Sequence, residues 1–370
     1  DASGREVGPA TELSDTRPSP GGNIQTTIDL ELQMHCEKLM VDKKGVILVG
    51  EPQNGGILAA VSSPDYPPDF FTGLITESDW NNIKTNPDKP LINRYIQGKY
   101  IPGSIVKMIT QIALLKSQQF NEEVKQYCPG FYQFGDRIFG CWYTEGHGEL
   151  NVTEAMAVSC DVYFYKTVRH LNLRDLNKAF NEFGFGQKTK IDIPNETVGL
   201  VPDSDYMRKR YGKYGWSRGV LLNLAIGQGE LLVTPMQVLN YVNLLATKGK
   251  APNCHFVFVD NLPSNASPNF EDKIWNSVHK GMRDVIVSKN GTGKKADINS
   301  KGFDLYGKTG TAENPHGDNH AWFVGWADYN NEKYSIVVLL ENAGSGGAVA
   351  APMAKKVFSK LILDNNFVSR

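Results

Sequence analysis

The stretch from Ile101 to Met108 constrains this chain most, because it predicts a turn that opens a helix with a serine at its first exposed position. Pro102 and Gly103 end whatever element precedes them. Ser104 and Lys107 are three residues apart, so their side chains are neighbours on the predicted helix. Apolar residues then recur at helical spacing and predict one buried face: Ile105, Met108, Ile109, Ile112 and Leu115.

This spacing makes chemical sense for a nucleophile and its base. A serine hydroxyl is a poor nucleophile at neutral pH, and a lysine can activate it when burial or nearby positive charge lowers the lysine pKa. The free backbone N–H groups of a helix N-terminus also favour developing negative charge. A second Ser-x-x-Lys pattern, Ser277 to Lys280, shows that the spacing alone is a weak signal.

Two further motifs accompany the first one in chain order. Ser159-Cys160-Asp161 lies in the middle of the chain, and Lys308-Thr309-Gly310 lies far downstream. Together the three are similar to the signature set of active-serine penicillin-interacting enzymes. Ser277 does not fit this set, because too little chain separates it from Lys308 to hold a middle motif.

Composition sets only broad limits. The 370 residues are 41% hydrophobic and 21% charged, which is ordinary for a globular chain with a large core. A formal net charge of -1 excludes a global field that would attract nucleic acid or an anionic membrane. No run of residues is apolar and long enough to span a bilayer. Five cysteines, an odd number, argue against a fully paired disulfide framework and leave metal binding open.

Strand patterns occupy both ends of the chain. Residues 24–29 have strand-like composition, and Asp29 is predicted to cap a helix. Strands are predicted over residues 46–49, 57–61, 305–309, 321–326 and 335–340. A helix over 352–363 closes the chain. Because helical patterns fill the middle, we expect an α/β (α+β) fold with one sheet completed by both ends.

The middle of the chain contains the less regular predictions. Residues 128–148 are rich in glycine and aromatic residues and predict irregular loop. One helix over 153–170 is predicted to carry the Ser159-Cys160-Asp161 motif. The sequence Asn290-Gly291-Thr292-Gly293-Lys294 lacks the first glycine of a phosphate loop and predicts a solvated turn. Further helices are predicted over 175–183, from Pro235 to about 247, and over 274–287.

From about Pro20 onward the chain resembles the transpeptidase domain of class B penicillin-binding proteins, and in particular the elongation-type penicillin-binding protein 2 branch. Asp161 stands where the family usually has Asn, and the penicillin-binding protein 2 branch often carries Asp there. Besides the three motifs, the matching segments are 22–33, 56–64, 146–148, 226–229, 308–313 and 320–323. The resemblance implies a penicillin-binding protein/serine β-lactamase-like fold, a central antiparallel sheet flanked by helices plus a helical subdomain. It implies a D,D-transpeptidase domain over 22–370, preceded by a linker or a remnant of an N-terminal pedestal domain over 1–21.

The resemblance also implies an acyl-enzyme mechanism. Ser104 would attack the penultimate D-Ala carbonyl of a peptidoglycan stem peptide, and Lys107 would take its proton. Asp161 would hold Lys107 in place. Ser159 would relay a proton to the leaving amine.

Substrate contacts are implied around the downstream motif. Lys308 would lower the pKa of Lys107 by its positive charge, and it would bind the terminal carboxylate together with the Thr309-Gly310-Thr311 segment. The backbone N–H groups of Ser104 and Thr311 would form the oxyanion hole. No cofactor is required for this chemistry.

A second group of residues has the composition of a zinc site. Cys128, Cys141, His147 and Cys160 surround the middle motif, and three thiolates with one imidazole make a complete structural zinc set. On a helix, the Cys160 side chain would point away from the face that Ser159 and Asp161 share. A Cys128–Cys141 disulfide and buried free thiols remain as alternatives. The other two cysteines, Cys36 and Cys254, lie on apolar stretches and are predicted core residues.

The expected function is therefore a serine-type D-Ala-D-Ala transpeptidase that cross-links peptidoglycan during elongation and is a β-lactam target. A D,D-carboxypeptidase or β-lactamase, with water as acceptor, and a β-lactam-sensing domain without turnover are the alternatives. The resemblance further implies a parent protein anchored in the bacterial inner membrane, with its catalytic domain in the periplasm. Its implied partners are a RodA-like membrane glycan polymerase and an MreC-like rod-shape scaffold protein.

Overall fold

The computed structural model describes residues 19–212, 215–258, 266–315 and 317–363 of the chain. Most of the predicted linker over 1–21 and the last residues of the predicted domain lie outside these ranges. Within them, no helix combines the length and apolar character needed to cross a bilayer.

A five-stranded antiparallel sheet forms the centre, and it is completed from both ends of the chain, as the strand patterns predict. The strands of the molecule are β1 (Gly45–Gly50), β2 (Ile57–Ser63), β3 (Gln126–Cys128), β4 (Phe131–Phe134), β5 (Arg137–Gly140), β6 (Gly148–Leu150), β7 (Phe303–Ala312), β8 (His320–Tyr329) and β9 (Glu332–Leu340). The central sheet has the order β2-β1-β9-β8-β7, so strands from both parts of the chain pair at β1 and β9. β7, which carries the Lys308-Thr309-Gly310 motif, is therefore an edge strand.

Helices cover both faces of this sheet. They are α1 (Leu30–Met40), α2 (Glu77–Thr85), α3 (Arg94–Gln97), α4 (Lys107–Lys116), α5 (Val152–Ala157), α6 (Asp161–Thr167), α7 (Leu173–Glu182), α8 (Ser204–Tyr211), α9 (Gly219–Ala225), α10 (Pro235–Ala246), α11 (Asp272–Val287) and α12 (Ala351–Leu363). Every residue of β1 is buried, which requires cover on both sides. α1 packs on β2 and on α12, whereas α10 packs across β1, β8 and β9, and α11 packs on β7.

Local sequence signals explain several helix starts. The Asp29 carboxylate accepts a hydrogen bond from the Leu32 N–H at 3.0 Å and caps α1, as predicted. Asn151 with Glu154 forms a reciprocal capping box at α5. Thr234 does the same at α10 with Gln237, where a proline occupies the first turn.

Two predictions about strands and loops were wrong in detail. The segment 128–148 is not irregular, because β3 pairs with β6 and β4 pairs with β5 in two small antiparallel sheets. Residues 24–29 form only a single bridge, between Thr26 and Val257. This segment lies beside the central sheet and is not one of its strands. The Thr27 hydroxyl donates to the carbonyl of Ile57, the first residue of β2, at 2.7 Å.

The predicted continuous helix over 153–170 is broken at the middle motif. The N–H groups of Ser159 and Cys160 donate to the carbonyls of Met156 and Ala155, the pairing of a Schellman helix end. Ser159 has a φ of 55°, a left-handed conformation that non-glycine residues rarely adopt. α6 then starts at Asp161. The break turns Ser159 and Asp161 toward α4, so a strained backbone position lies at the candidate site.

Two glycines allow the serine turn to approach its neighbours. Gly103 has a φ of 58°, and its N–H donates to the Gly227 carbonyl at 2.9 Å. A Cβ on Gly227 would lie 2.1 Å from the Gly103 carbonyl oxygen, and one on Gly103 would lie 2.7 Å from the Thr311 oxygen. Only glycine fits at either position, so the turn is held by backbone contact between the Gly227 loop and β7.

We expect Gly227→Ala to destabilise the chain by about 3 kcal/mol or more, because strain at positive φ adds to a backbone clash. Gly135→Ala is the matched control, since Gly135 has a φ of 60° with no atom within 4 Å of an added Cβ. It should cost only about 1 kcal/mol. Denaturant unfolding of both variants measures the difference, and equal losses would contradict the steric account.

Candidate active site

Ser104 lies in a short 3-10 turn, Gly103–Val106, that leads directly into α4. The Lys107 N–H donates to the Ser104 carbonyl, so the two residues of the first motif are joined by one tight turn. Ser104 is half-buried and lines a cavity of about 720 Å³. Within the described part of the chain, its side chain has no hydrogen-bond partner, so the hydroxyl is available to a bound molecule.

Lys107 lies beneath this cavity and is fully buried. Its Nζ donates to Asp161 Oδ1 at 2.7 Å and to the Ser159 carbonyl at 2.9 Å. A buried ammonium needs such partners, because an unpaired charge out of water costs several kcal/mol. The first and middle motifs therefore meet through this lysine.

Lys308 reaches the same point from the edge strand β7. Its Nζ donates to Ser159 Oγ at 2.8 Å and to the Thr309 carbonyl at 3.0 Å. Burial, and then the neighbouring Lys107, hold the Lys308 pKa well below its ordinary value of 10.5, and Asp161 opposes the shift. Ser159 Oγ is also 3.4 Å from Lys107 Nζ, so this hydroxyl connects the two lysines.

The remainder of the Lys308 motif forms one wall of the cavity. Thr309 and Thr311 line it, and the Gln228 side-chain amide donates to the Thr311 carbonyl at 3.1 Å. A Cβ on Gly310 would lie 2.8 Å from a methyl carbon of Ile105, so glycine lets β7 pack against the serine turn.

At Thr292 the structure contradicts the interpretation made from the sequence. The segment 290–294 is not merely a solvated turn, because the Thr309 hydroxyl donates to Thr292 Oγ1 at 2.7 Å. Thr292 is half-buried and lines the cavity. No local signal could have identified it, since its role depends on a strand that follows it in the chain.

A second residue that the sequence did not indicate is Trp142. Its backbone N–H donates to Asp161 Oδ2 at 3.1 Å, and its indole N–H donates to the Val158 carbonyl at 3.0 Å. Asp161 thus uses one oxygen for Lys107 and the other for Trp142. The residue before Trp142 is Cys141, which belongs to the predicted zinc set.

The structure brings all four members of that set together. The ligand atoms of Cys128, Cys141, His147 and Cys160 lie within 4.8 Å of one another. His147 Nδ1 is 3.7 Å from the Cys128 sulfur and 3.5 Å from the Cys141 sulfur. The three cysteines are free thiols. A hydrogen bond from Cys160 lowers the pKa of Cys141, and the same contact raises the pKa of Cys160.

Known proteins match this chain over most of its length. The family model described as the penicillin binding protein transpeptidase domain matches residues 45–359. A Haemophilus influenzae protein, peptidoglycan D,D-transpeptidase MrdA, is 32% identical over 92% of this chain. The chain spans 56% of the length of that relative.

Two solved structures have closely similar folds. Pseudomonas aeruginosa PBP2, in complex with WCK 5153, has a TM-score of 0.87 and 33% identity, covering 95% of this chain and 82% of that one. Helicobacter pylori PBP2, solved as a complex with MreC, has a TM-score of 0.84 and 36% identity, covering 91% of this chain and 64% of that one.

This chain belongs to the family of penicillin-binding protein transpeptidase domains. Within the family, its relatives place it in class B, with the elongation-type penicillin-binding protein 2. The predicted family and fold are both confirmed.

The lowered pKa of Lys308 predicts a pH-dependent stability. Between that pKa and 10.5 the unfolded chain binds more protons than the folded one, so the free energy of unfolding rises with pH. Below both pKa values Lys308 is charged in the folded and in the unfolded chain, so the full cost of burying its charge reduces the free energy of unfolding. The stability of the native chain relative to Lys308→Met should therefore grow with pH, by at most about 1.4 kcal/mol per pH unit.

Urea unfolding from about pH 6 to about pH 10 measures this difference. Lys301→Met, at an exposed lysine outside the site, is the control, and its difference from the native chain should stay nearly constant. A Lys308→Met difference that is flat or that shrinks as pH rises would contradict the lowered pKa.

Proposed function

We propose that this chain is the catalytic domain of a peptidoglycan D,D-transpeptidase, which cross-links stem peptides through an acyl-enzyme on Ser104 during cell-wall elongation. The observation that carries the proposal is the buried Lys107, which contacts Asp161 and Ser159 directly beneath the serine turn. Three motifs distant in sequence are thus joined by hydrogen bonds around one available hydroxyl.

Acylation would begin with proton removal from Ser104. Two ammonium groups and one carboxylate would leave a net positive charge in a buried site, which favours the loss of one lysine proton. Because the Ser159 hydroxyl contacts both Lys107 and Lys308, a proton can pass between them. With Lys107 as base, Ser104 Oγ bonds to the carbonyl carbon of the penultimate D-Ala. The C–N bond to the terminal D-Ala then breaks, and this amine leaves with a proton delivered through Ser159.

Thr309 and Thr311 line the same cavity, and the buried Lys308 precedes them on β7. Lys308 and the hydroxyls of Thr309 and Thr311 would bind the terminal carboxylate of the donor. The oxyanion would be bound by the N–H groups of Ser104 and Thr311. β-Lactams would acylate Ser104 by the same attack, with no leaving group to depart.

In the second half-reaction, the amine of a neighbouring stem peptide attacks the acyl-enzyme carbonyl, forms the cross-link and releases Ser104. Water in place of that amine would give a D,D-carboxypeptidase or a β-lactamase. If the acyl group were never released from Ser104, the domain would act as a β-lactam sensor. Family membership with penicillin-binding protein 2 favours the transpeptidase.

The proposal also covers the longer protein to which this domain would belong. We propose that residues 22–370 form the transpeptidase domain and that residues 1–21 connect it to a pedestal domain. We place the domain in the periplasm of a parent protein anchored in the inner membrane. An MreC-like scaffold is supported as a partner by the Helicobacter pylori PBP2 complex with MreC. A RodA-like polymerase is proposed from the sequence resemblance.

We also propose that Cys128, Cys141, His147 and Cys160 bind a structural zinc ion. In a tetrahedral site with Zn–S near 2.3 Å and Zn–N near 2.05 Å, sulfur and nitrogen ligands are about 3.6 Å apart. The distances of 3.5 and 3.7 Å to His147 Nδ1 match this value. The ion would supply no catalytic step. It would tie the segment of Trp142 to the turn that carries Ser159 and Asp161.

The first test uses benzylpenicillin and intact-mass analysis. The native chain should gain one adduct that peptide mapping assigns to Ser104, because this hydroxyl lines the cavity without a hydrogen-bond partner among the described residues, whereas the Ser159 hydroxyl already accepts from Lys308. Ser104→Ala should gain none.

Ser277→Ala is the control, because Ser277 belongs to the second Ser-x-x-Lys pattern. Its hydroxyl donates to Glu122 at 2.6 Å, so this variant should still gain the adduct. An adduct that persists in Ser104→Ala would assign the nucleophile elsewhere. A rapidly lost adduct on the native chain would favour a β-lactamase over a transpeptidase.

The zinc proposal is tested by metal analysis of protein purified without chelator. We expect about one zinc per chain in the native protein and in Cys36→Ala, and less than about 0.2 in Cys128→Ala. Both substitutions remove a buried thiol, so the comparison isolates the metal. Native protein that is folded and contains less than a few tenths of an equivalent of zinc would refute the site.

A further inference from the structure

The wall formed by β7 continues past the groups already assigned. Thr309, Thr311 and Glu313 all line the cavity. They alternate along the chain, as side chains on one face of a strand do. Glu313 follows the last residue of β7 and is exposed at the cavity rim. Its backbone is held in place by Gln228, because the Glu313 N–H donates to Gln228 Oε1 at 3.4 Å.

The proposed chemistry sets the direction of the donor peptide along this wall. β7 is an edge strand, so an extended peptide can lie beside it as a further strand. The terminal carboxylate lies at Lys308 and Thr309, and the scissile carbonyl lies between Ser104 and Thr311. The residue before the D-Ala pair therefore lies toward Glu313, which is two residues and about 6.6 Å beyond Thr311.

The charges around the cavity distinguish Glu313 from its neighbours. In the described residues, three charged side chains line the cavity, and they are Arg137, Asp161 and Glu313. Asp161 is occupied by Lys107 and by the Trp142 N–H. The Arg137 guanidinium lies 5.0 Å from the centre of the Phe139 ring on its own strand. Glu313 has no ion pair among the described residues, so it presents an unneutralised carboxylate to the donor peptide.

We propose that Glu313 is a specificity-determining residue that binds an ammonium group on the side chain of the residue preceding the D-Ala pair. A donor with a free side-chain amine at that position should then bind more tightly than one in which this amine is blocked. This inference rests on the proposed transpeptidase function, because that function sets the direction of the peptide.

The test compares two donor peptides, Nα-acetyl-L-Lys-D-Ala-D-Ala and its Nα,Nε-diacetyl form, which differ only in the ammonium group. Each is titrated against the rate of Ser104 acylation by a fluorescent penicillin, which yields a binding constant without requiring turnover. In the native chain the free-amine donor should bind about five-fold more tightly. In Glu313→Gln the two donors should bind equally, each constant being referred to the acylation rate of that variant without donor.

Glu332→Gln is the matched control, since Glu332 is exposed at the start of β9 and should retain the five-fold preference. Glu313→Lys should bind the free-amine donor more weakly than the diacetyl one. Equal binding of both donors to the native chain, or a preference that survives Glu313→Gln, would overturn the inference while leaving the transpeptidase proposal intact. Native chain that forms no penicillin adduct on Ser104 would overturn both.

Discussion

The burial of two lysines beside a single carboxylate is the constraint on which the site depends. Lys107 and Lys308 are both fully buried, and Asp161 is the carboxylate that pairs with Lys107. Such an arrangement is costly unless every polar group has a partner. Carbonyl and hydroxyl oxygens of Ser159 supply the missing contacts. The residual positive charge favours the loss of a proton, which is what a nucleophilic serine requires of its base.

Backbone geometry makes this arrangement possible. Ser159 adopts a left-handed conformation at a helix end, and this turn aims its hydroxyl at both lysines. Gly103 and Gly227 let two loops approach at distances that no side chain would allow. A left-handed residue and two close backbone contacts therefore lie where the three motifs meet. The surrounding fold stabilises the site in a conformation that the local sequence would not adopt alone.

The cysteine and histidine cluster and the active site are parts of one structure. Cys141 and Cys160 each adjoin a residue that contacts Lys107 or Asp161 in the site. Trp142 carries this connection through its backbone N–H to Asp161. Under the zinc proposal, the ion would fix the loop that holds the second oxygen of this carboxylate, and so act on catalysis through position alone.

The sequence by itself determined the family and a sheet completed from both ends, because motifs and strand periodicity can be read along the chain. It also predicted Ser104, Lys107, Ser159, Asp161 and Lys308 as catalytic residues, and the structure joins the last four of them by hydrogen bonds. It also predicted the four residues of the cluster, whose side chains meet in the structure. Only the tertiary structure showed the broken helix at Ser159 and the roles of Thr292 and Trp142. Helical periodicity continues through the break, and both of these residues act through partners distant in the chain. Such long-range contacts are set by packing of the whole domain, which no local pattern records.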